Sequence, residues 1–254
     1  MTDAGQSNLQ KYVLRLGDNA LILGQQVSAW CGHAPALEED IAFANVALDL
    51  IGQATNWLNY AAELNAEPTN ADNLAFLRSE REFSNVLLVE QPNKDFGHSL
   101  MRQFLFDCWH YPLLKALGSS KDKQVAEIAQ KSVNEVAYHL ERSTDLIIRL
   151  GDGTYESHER MQNALNSLWC FTGELHEADE LDSLMHEEGV APDLAQIGDA
   201  FQSHLDKVLP PAMLQLPENA LMRSGGKSGI HNEAMGPLLA EMQHLQRSYP
   251  GASW

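Results

Sequence analysis

Apolar residues recur along this chain at the three-and-four spacing of helices, and no segment alternates as a strand would. Helices are predicted at about 9–30, 37–64, 73–90, 95–117, 121–150 and 155–188, with shorter ones at about 192–207 and 231–247. The breaks have local causes. Gly32 and Pro35 separate the first two helices, Pro68 follows the second, and Gln91-Pro92-Asn93 closes the third. Gly118 ends the fourth, Gly151-Asp152-Gly153 ends the fifth, and Pro192 suits the opening turn of the next helix. Long helices with short connections pack as antiparallel neighbours, so the expected fold is all-α, a long helical bundle. A single domain over 1–254 is expected, with a core bundle at about 9–188 and a C-terminal part at 189–254 made of a loop and short helices. Within that part, 208–230 holds Pro210, Pro211, Pro217 and a glycine-rich run from Gly225 to Gly229, and is expected to wrap the bundle as an ordered loop.

One helix departs from the ordinary amphipathic pattern. Between Leu37 and Leu64 the apolar residues Ile41, Phe43, Val46, Leu48, Leu50, Ile51, Trp57 and Leu58 occupy every side. A helix apolar all round is expected to be buried. Asn45, Asp49, Gln53 and Asn56 then form a polar stripe facing the interior. A buried carboxylate such as Asp49 needs partners from other helices, a metal or water. Further polar groups sit at core-like positions: Asp18 and Gln25, Asp107 and His110 amid Phe104, Phe106 and Trp109, and Glu135 and His139. Glu135 and His139, four apart, are expected to pair with each other or with Arg142. Glu174, Glu177, Asp179 and Glu180 read as a solvated face.

Composition narrows the function classes. The formal net charge is −18, which disfavours nucleic acid and anionic membrane surfaces as partners. No run of apolar residues is long enough to span a bilayer, and Met1–Gln10 lacks a signal-peptide core. The three cysteines, Cys31, Cys108 and Cys170, form no Cys-x-x-Cys, as expected of thiols in a reducing cytoplasm.

The chemical motifs are incomplete. A bundle that binds two irons takes one Glu from each of two helices and a Glu-x-x-His from each of two others. Here Val136 stands three residues before His139, and Leu50 stands three residues before Gln53. A neutral amide is a poor iron ligand. The acid-x-x-His pairs are Asp95–His98, Asp107–His110 and Glu241–His244, of which Asp107–His110 alone lies in a core helix. Gly226-Lys227-Ser228 has the ending of a phosphate-binding loop, but Leu221 occupies the required first glycine, so a nucleotide-triphosphatase is excluded. Arg223 and Lys227 still form a basic spot, a candidate contact for coenzyme A or a partner. No nucleophile elbow is present.

Several runs carry a resemblance: Leu14-Arg15-Leu16-Gly17-Asp18-Asn19, Trp30-Cys31-Gly32-His33-Ala34-Pro35, Asp49-Leu50-Ile51-Gly52-Gln53-Ala54, Glu82-Phe83-Ser84-Asn85, Val89-Glu90-Gln91-Pro92-Asn93 and Leu239-Ala240-Glu241-Met242-Gln243. Together, and over nearly the whole chain, they resemble the C subunits of bacterial phenylacetyl-CoA epoxidases, also called ring-1,2-phenylacetyl-CoA monooxygenases. The resemblance implies a ferritin-like fold and a structural, non-catalytic role. It implies a homologous catalytic subunit that holds the di-iron centre, a small bridging subunit, a flavin and iron–sulfur reductase, and a reaction that places one oxygen atom of O2 across the substrate ring. It puts the ligand positions of the catalytic type at Gln25, Leu50, Gln53, Asp107, Val136 and His139, where Asp107 and His139 alone keep ligand-capable side chains. The expectation is therefore a degenerate pocket of Gln25, Asp49, Gln53, Asp107, Glu135 and His139, with no cofactor in this chain. Two rivals remain: an active di-iron oxygenase or ferroxidase using Asp49, Asp107, Glu135 and His139, and a homodimeric helical binding module. For the chain alone, a homodimer through the partner surface fits either the first or the last reading.

Overall fold

The computed structural model describes residues 7–252, so most of the polar N-terminal stretch lies outside the described residues. Its helices are α1 (Asn8–Ser28), α2 (Leu37–Glu63), α3 (Ala71–Phe76), α4 (Phe96–Leu117), α5 (Lys123–Gly151), α6 (Tyr155–Leu168), α7 (Glu180–Glu187), α8 (Leu194–Val208), α9 (Met235–Met242) and α10 (His244–Ser248). Among the described residues there is no strand, and no helix is long and apolar enough to cross a membrane. The fold is an all-α helical bundle.

Side-chain caps start α1, α4 and α5, whereas α2 starts after Ala36 without one. Ser7 Oγ accepts from Gln10 N, Asp95 Oδ1 from His98 N, and Asp122 Oδ1 from Val125 N, each satisfying one orphan donor. α1 and α2 form one pair and α4 and α5 another. Two glycines let α1 lie against α2. A Cβ on Gly17 would sit 2.9 Å from Leu58 Cδ2, and one on Gly24 would sit 3.0 Å from Ile51 Cδ1.

The helix buried all round is not α2. Every residue of α1 from Tyr12 to Gly24 is buried, as is every residue of α4 from Ser99 to His110. These two central helices carry their polar groups, among them Asp18, Arg102 and Asp107, into the interior. α2 and α5 lie outside them. α2 leaves Leu37 (71 %), Ile41 (53 %) and Leu48 (71 %) exposed along one stripe, together with Asn45. Apolar residues on that outer face produced the all-round apolar pattern.

Three expected helices are shorter. The one at 73–90 ends as α3 at Phe76, and a single 3₁₀ turn at Glu80–Glu82 follows. Phe83, Val86, Leu87, Leu88 and Val89 are all buried without helical geometry. Side chains from other elements take the backbone donors there: Ser84 N donates to Asp18 Oδ2 (2.9 Å), Val86 N to Asn19 Oδ1 (2.9 Å) and Leu87 N to Glu174 Oε2 (2.8 Å). The helix at 155–188 is interrupted after Leu168 by 3₁₀ turns at Trp169–Phe171 and Gly173–Leu175, and α7 starts afresh at an Asp179–Asp182 capping box. The last helix divides at Gln243, whose buried amide donates to the carbonyls of Ala75 and Arg78. The segment from 209 to 234 wraps irregularly over this layer, with one 3₁₀ turn at Gly226–Ser228.

Candidate functional site

The polar residues of α2 meet α5 along a seam. Glu39 pairs with Arg142, Asp49 Oδ2 lies 2.9 Å from His139 Nε2, and Gln53 Nε2 donates to Glu135 Oε2 at 3.1 Å. At the far end the Tyr60 hydroxyl donates to Asp122 Oδ2 at 2.8 Å. The two helices run antiparallel, so residues rising along α2 meet residues falling along α5. Glu135, His139 and Arg142 thus each take a separate partner on α2, rather than pairing with one another.

Behind the seam lies Asp107 of α4. It is fully buried, and it accepts from Gln103 Nε2 (2.7 Å) and Ser143 Oγ (3.1 Å). Both partners are neutral, so burial holds its carboxyl well above the usual carboxylate range. His110, one turn on, is pulled down to about 3 by burial and by the nearby His139. His139 is lowered by burial against the opposing pull of Asp49. Both imidazoles are therefore neutral at pH 7. Desolvation also raises Glu135, with Asp49 adding to the rise. Four buried atoms around this cluster have no hydrogen-bond partner among the described residues: Gln53 Oε1, Gln103 Oε1, His110 Nδ1 and His139 Nδ1.

The structure thus brings together Asp49, Gln53, Asp107, Glu135 and His139. Gln25 is elsewhere, lining a cleft with Ile51, Thr55 and Met242. Leu50 and Val136, at two further ligand-type positions, are fully buried hydrocarbons. As a donor set this is poor for two iron ions. Asp49 and Glu135 are half-buried at the rim, the amides of Gln53 and Gln103 bring no charge, and Asp107 is placed against neutral donors. Among the described residues no three His, Cys, Asp or Glu side chains are arranged to hold a metal ion.

The basic spot divides. Lys227 Nζ lies 2.9 Å from Asp182 Oδ2 and donates to the Glu177 carbonyl at 2.7 Å, so it is engaged within the fold. The exposed Arg223 places its guanidinium over the Phe171 ring.

The sequence marked Asp18 at a core-like position, but not the second polar layer around α1 to which it belongs. Asp18 pairs with Arg78, and Arg15 with Asp179 and Asp182. Glu174, expected on a solvated face, is buried; Oε1 accepts from Gly225 N at 2.6 Å while Oε2 holds Leu87 N. Glu177 and Glu180 are exposed, as that expectation had them. Glu90 and His231 form an enclosed pair at 2.9 Å, and His231 Nε2 faces the Phe83 carbonyl at 3.1 Å. Both ring nitrogens thus face acceptors, and Glu90 raises the imidazole against the effect of burial. The available signal was Arg15, Asp18 and Asn19 inside an otherwise apolar helix.

Residues 1–254 match the family model for the phenylacetic acid catabolic protein. The chain is also 49 % identical over 248 residues to the C subunit of the 1,2-phenylacetyl-CoA epoxidase of Escherichia coli (strain K12), an alignment covering 98 % of this chain and 100 % of that protein.

Proposed function

This chain belongs to the phenylacetic acid catabolic protein family, and from that premise we propose that it is the non-catalytic, structural subunit of a multicomponent di-iron monooxygenase that epoxidises phenylacetyl-CoA. The observation that carries the reading is the donor set in the bundle. Leu50, Gln53 and Val136 stand at ligand-type positions, and the buried Asp107 is matched to amide and hydroxyl donors rather than to a cation. The di-iron centre then resides in a homologous partner, and a small bridging subunit joins the complex.

The outer face of α2 supports the second half of the proposal. Leu37, Ile41 and Leu48, with Tyr138 of α5 (58 % exposed), present large apolar side chains to solvent. Exposed apolar patches of this kind mark contact surfaces. A partner helix laid there would cover them and clamp the α2–α5 seam. The chain's work is mechanical: it holds the metal-bearing helices of its partner in register. Free cysteines and net negative charge fit a cytoplasmic protein that binds neither nucleic acid nor membrane. Arg223 remains available for an anionic group of the partner or substrate.

Production of the catalytic subunit with and without this chain tests the reading, using substrate-dependent O2 consumption and iron content. The expected result is no oxygenase activity and about zero iron per chain for this protein alone, and activity once the subunits are combined. Full activity of the catalytic subunit in the absence of this chain overturns it.

A further inference from the structure

Away from the seam residues, a groove of about 480 Å³ opens between α4, α5 and α8. That volume lies in the range of small-molecule sites. Its apolar surface comes from Tyr111, Pro112 and Leu140, and its rim carries Lys115, Lys207 and His204. The chain has 35 acidic residues against 17 Lys and Arg, yet no Asp or Glu lines this groove. The clefts beside α7, beside α6 and between α1 and α2 each include a carboxylate, namely Glu180, Glu218 and Asp72.

Neither lysine makes an ion pair among the described residues, although Lys123, Arg149, Arg160 and Lys227 all do. Helix dipoles account for a lysine in the last turn of α4 and another in the last turn of α8. They do not account for the apolar surface between the two. His204 is held in place by Thr144, whose Oγ1 lies 3.0 Å from its Nε2, and its ring stands 6.1 Å from that of Phe104. Burial and the neighbouring Lys207 keep it neutral at pH 7. It thus offers a polar edge without adding a third cation. Ser203 lines the same groove.

We infer that this groove binds a small amphipathic anion, its charged head between Lys115 and Lys207 and its apolar body against Tyr111, Pro112 and Leu140. Lysines act as point charges toward carboxylate and phosphate heads alike. The apolar surface requires a hydrocarbon or aromatic body, so a bare inorganic anion is not a sufficient ligand. The site lies outside the seam cluster and does not depend on where the iron resides.

Calorimetric titration of the full chain tests this with octanoate, octyl phosphate, octan-1-ol and inorganic phosphate. Octanoate and octyl phosphate are expected to bind once per chain and at least about fivefold more tightly than octan-1-ol, as two solvent-exposed charge contacts allow. Inorganic phosphate is expected to bind far more weakly than octyl phosphate. The double variant K115M/K207M should lose the preference for the anions while still melting cooperatively as a folded protein, since both side chains are exposed. Ala200→Trp, which fills the groove, should abolish binding of all the octyl compounds. The inference is overturned if the anions bind no better than octan-1-ol, if inorganic phosphate binds as well as octyl phosphate, or if the double variant keeps the anion preference.

Discussion

At the scale of single residues, burial decides charge, and the chain uses it in two opposite ways. Asp107 is surrounded by neutral partners and its pKa is raised, so ionising it at neutral pH costs the folded state. Asp107→Asn should therefore stabilise the protein by about 1 kcal/mol at pH 8. The gain should vanish toward pH 4, where the native carboxyl is protonated. Urea midpoints at the two pH values check this, and a loss of stability at pH 8 would mean that the ionised form is the one the fold prefers. His231 has the other sign. Its pKa is raised by Glu90, so its contribution is fully present below pH 6.5 and is lost as pH rises through the folded value. His231→Leu should cost about 3 kcal/mol at pH 6 and less at pH 9, again by urea midpoint. An equal cost at both would show that the pair acts by packing alone. His110 and His139 were legible as core histidines because they fall on the apolar positions of long helices. His231 was not, because its partner Glu90 lies 141 positions away in the chain.

At the scale of elements, local signals located helices and nonlocal ones ended them. The capped helices α4 and α5 lie within two residues of their expected bounds at 95–117 and 121–150. The segment after α3 does not, because Asp18, Asn19 and Glu174 take its amides away from the helical ladder. Glu174→Ala should strand two backbone donors, Leu87 N in this segment and Gly225 N in the C-terminal wrap, and cost about 3 kcal/mol. Hydrogen exchange at both amides should speed up well ahead of exchange in α4, and unchanged protection would place the anchor elsewhere. The outer face of α2 calls for a different test. Leu48→Glu replaces an exposed side chain and should change stability by no more than about 0.5 kcal/mol. It should nevertheless weaken association with the catalytic-type subunit by about tenfold or more, as read by pull-down and analytical ultracentrifugation. Unimpaired association would move the partner to another face.

At the scale of the whole molecule, two polar systems divide the labour. The seam between α2 and α5 pairs polar groups across the two helices, Glu39 with Arg142, Asp49 with His139, Gln53 with Glu135 and Tyr60 with Asp122. Around α1, Arg78 ties residues 77–95 and Arg15 ties α7 to the central helix, while Glu174 and His231 join the C-terminal wrap to residues 83–90. Arg102 adds to this layer. It is buried without a carboxylate, and its guanidinium donates to the Gln91 carbonyl and to Asn93 Oδ1, which fixes the turn before α4. Burial alone brings it down to about 9. A chain built this way invests its buried charge in holding its own irregular segments.

The sequence by itself determined the helical class, the places of the long helices and the incompleteness of the ligand motifs. Caps, glycine stops and apolar spacing act within a few residues, and a missing side chain is visible without a fold. The tertiary structure alone decided which helix is central, which acids are buried and where the groove lysines gather. α1 and α2 are both rich in apolar residues, and packing alone distinguishes a covered face from an exposed one. Glu174 and Glu177 are three residues apart and look alike in the sequence, yet one is enclosed by backbone donors from Leu87 and Gly225 and the other faces solvent. Burial is set by residues distant in the chain, and those contacts exist only after the bundle has formed.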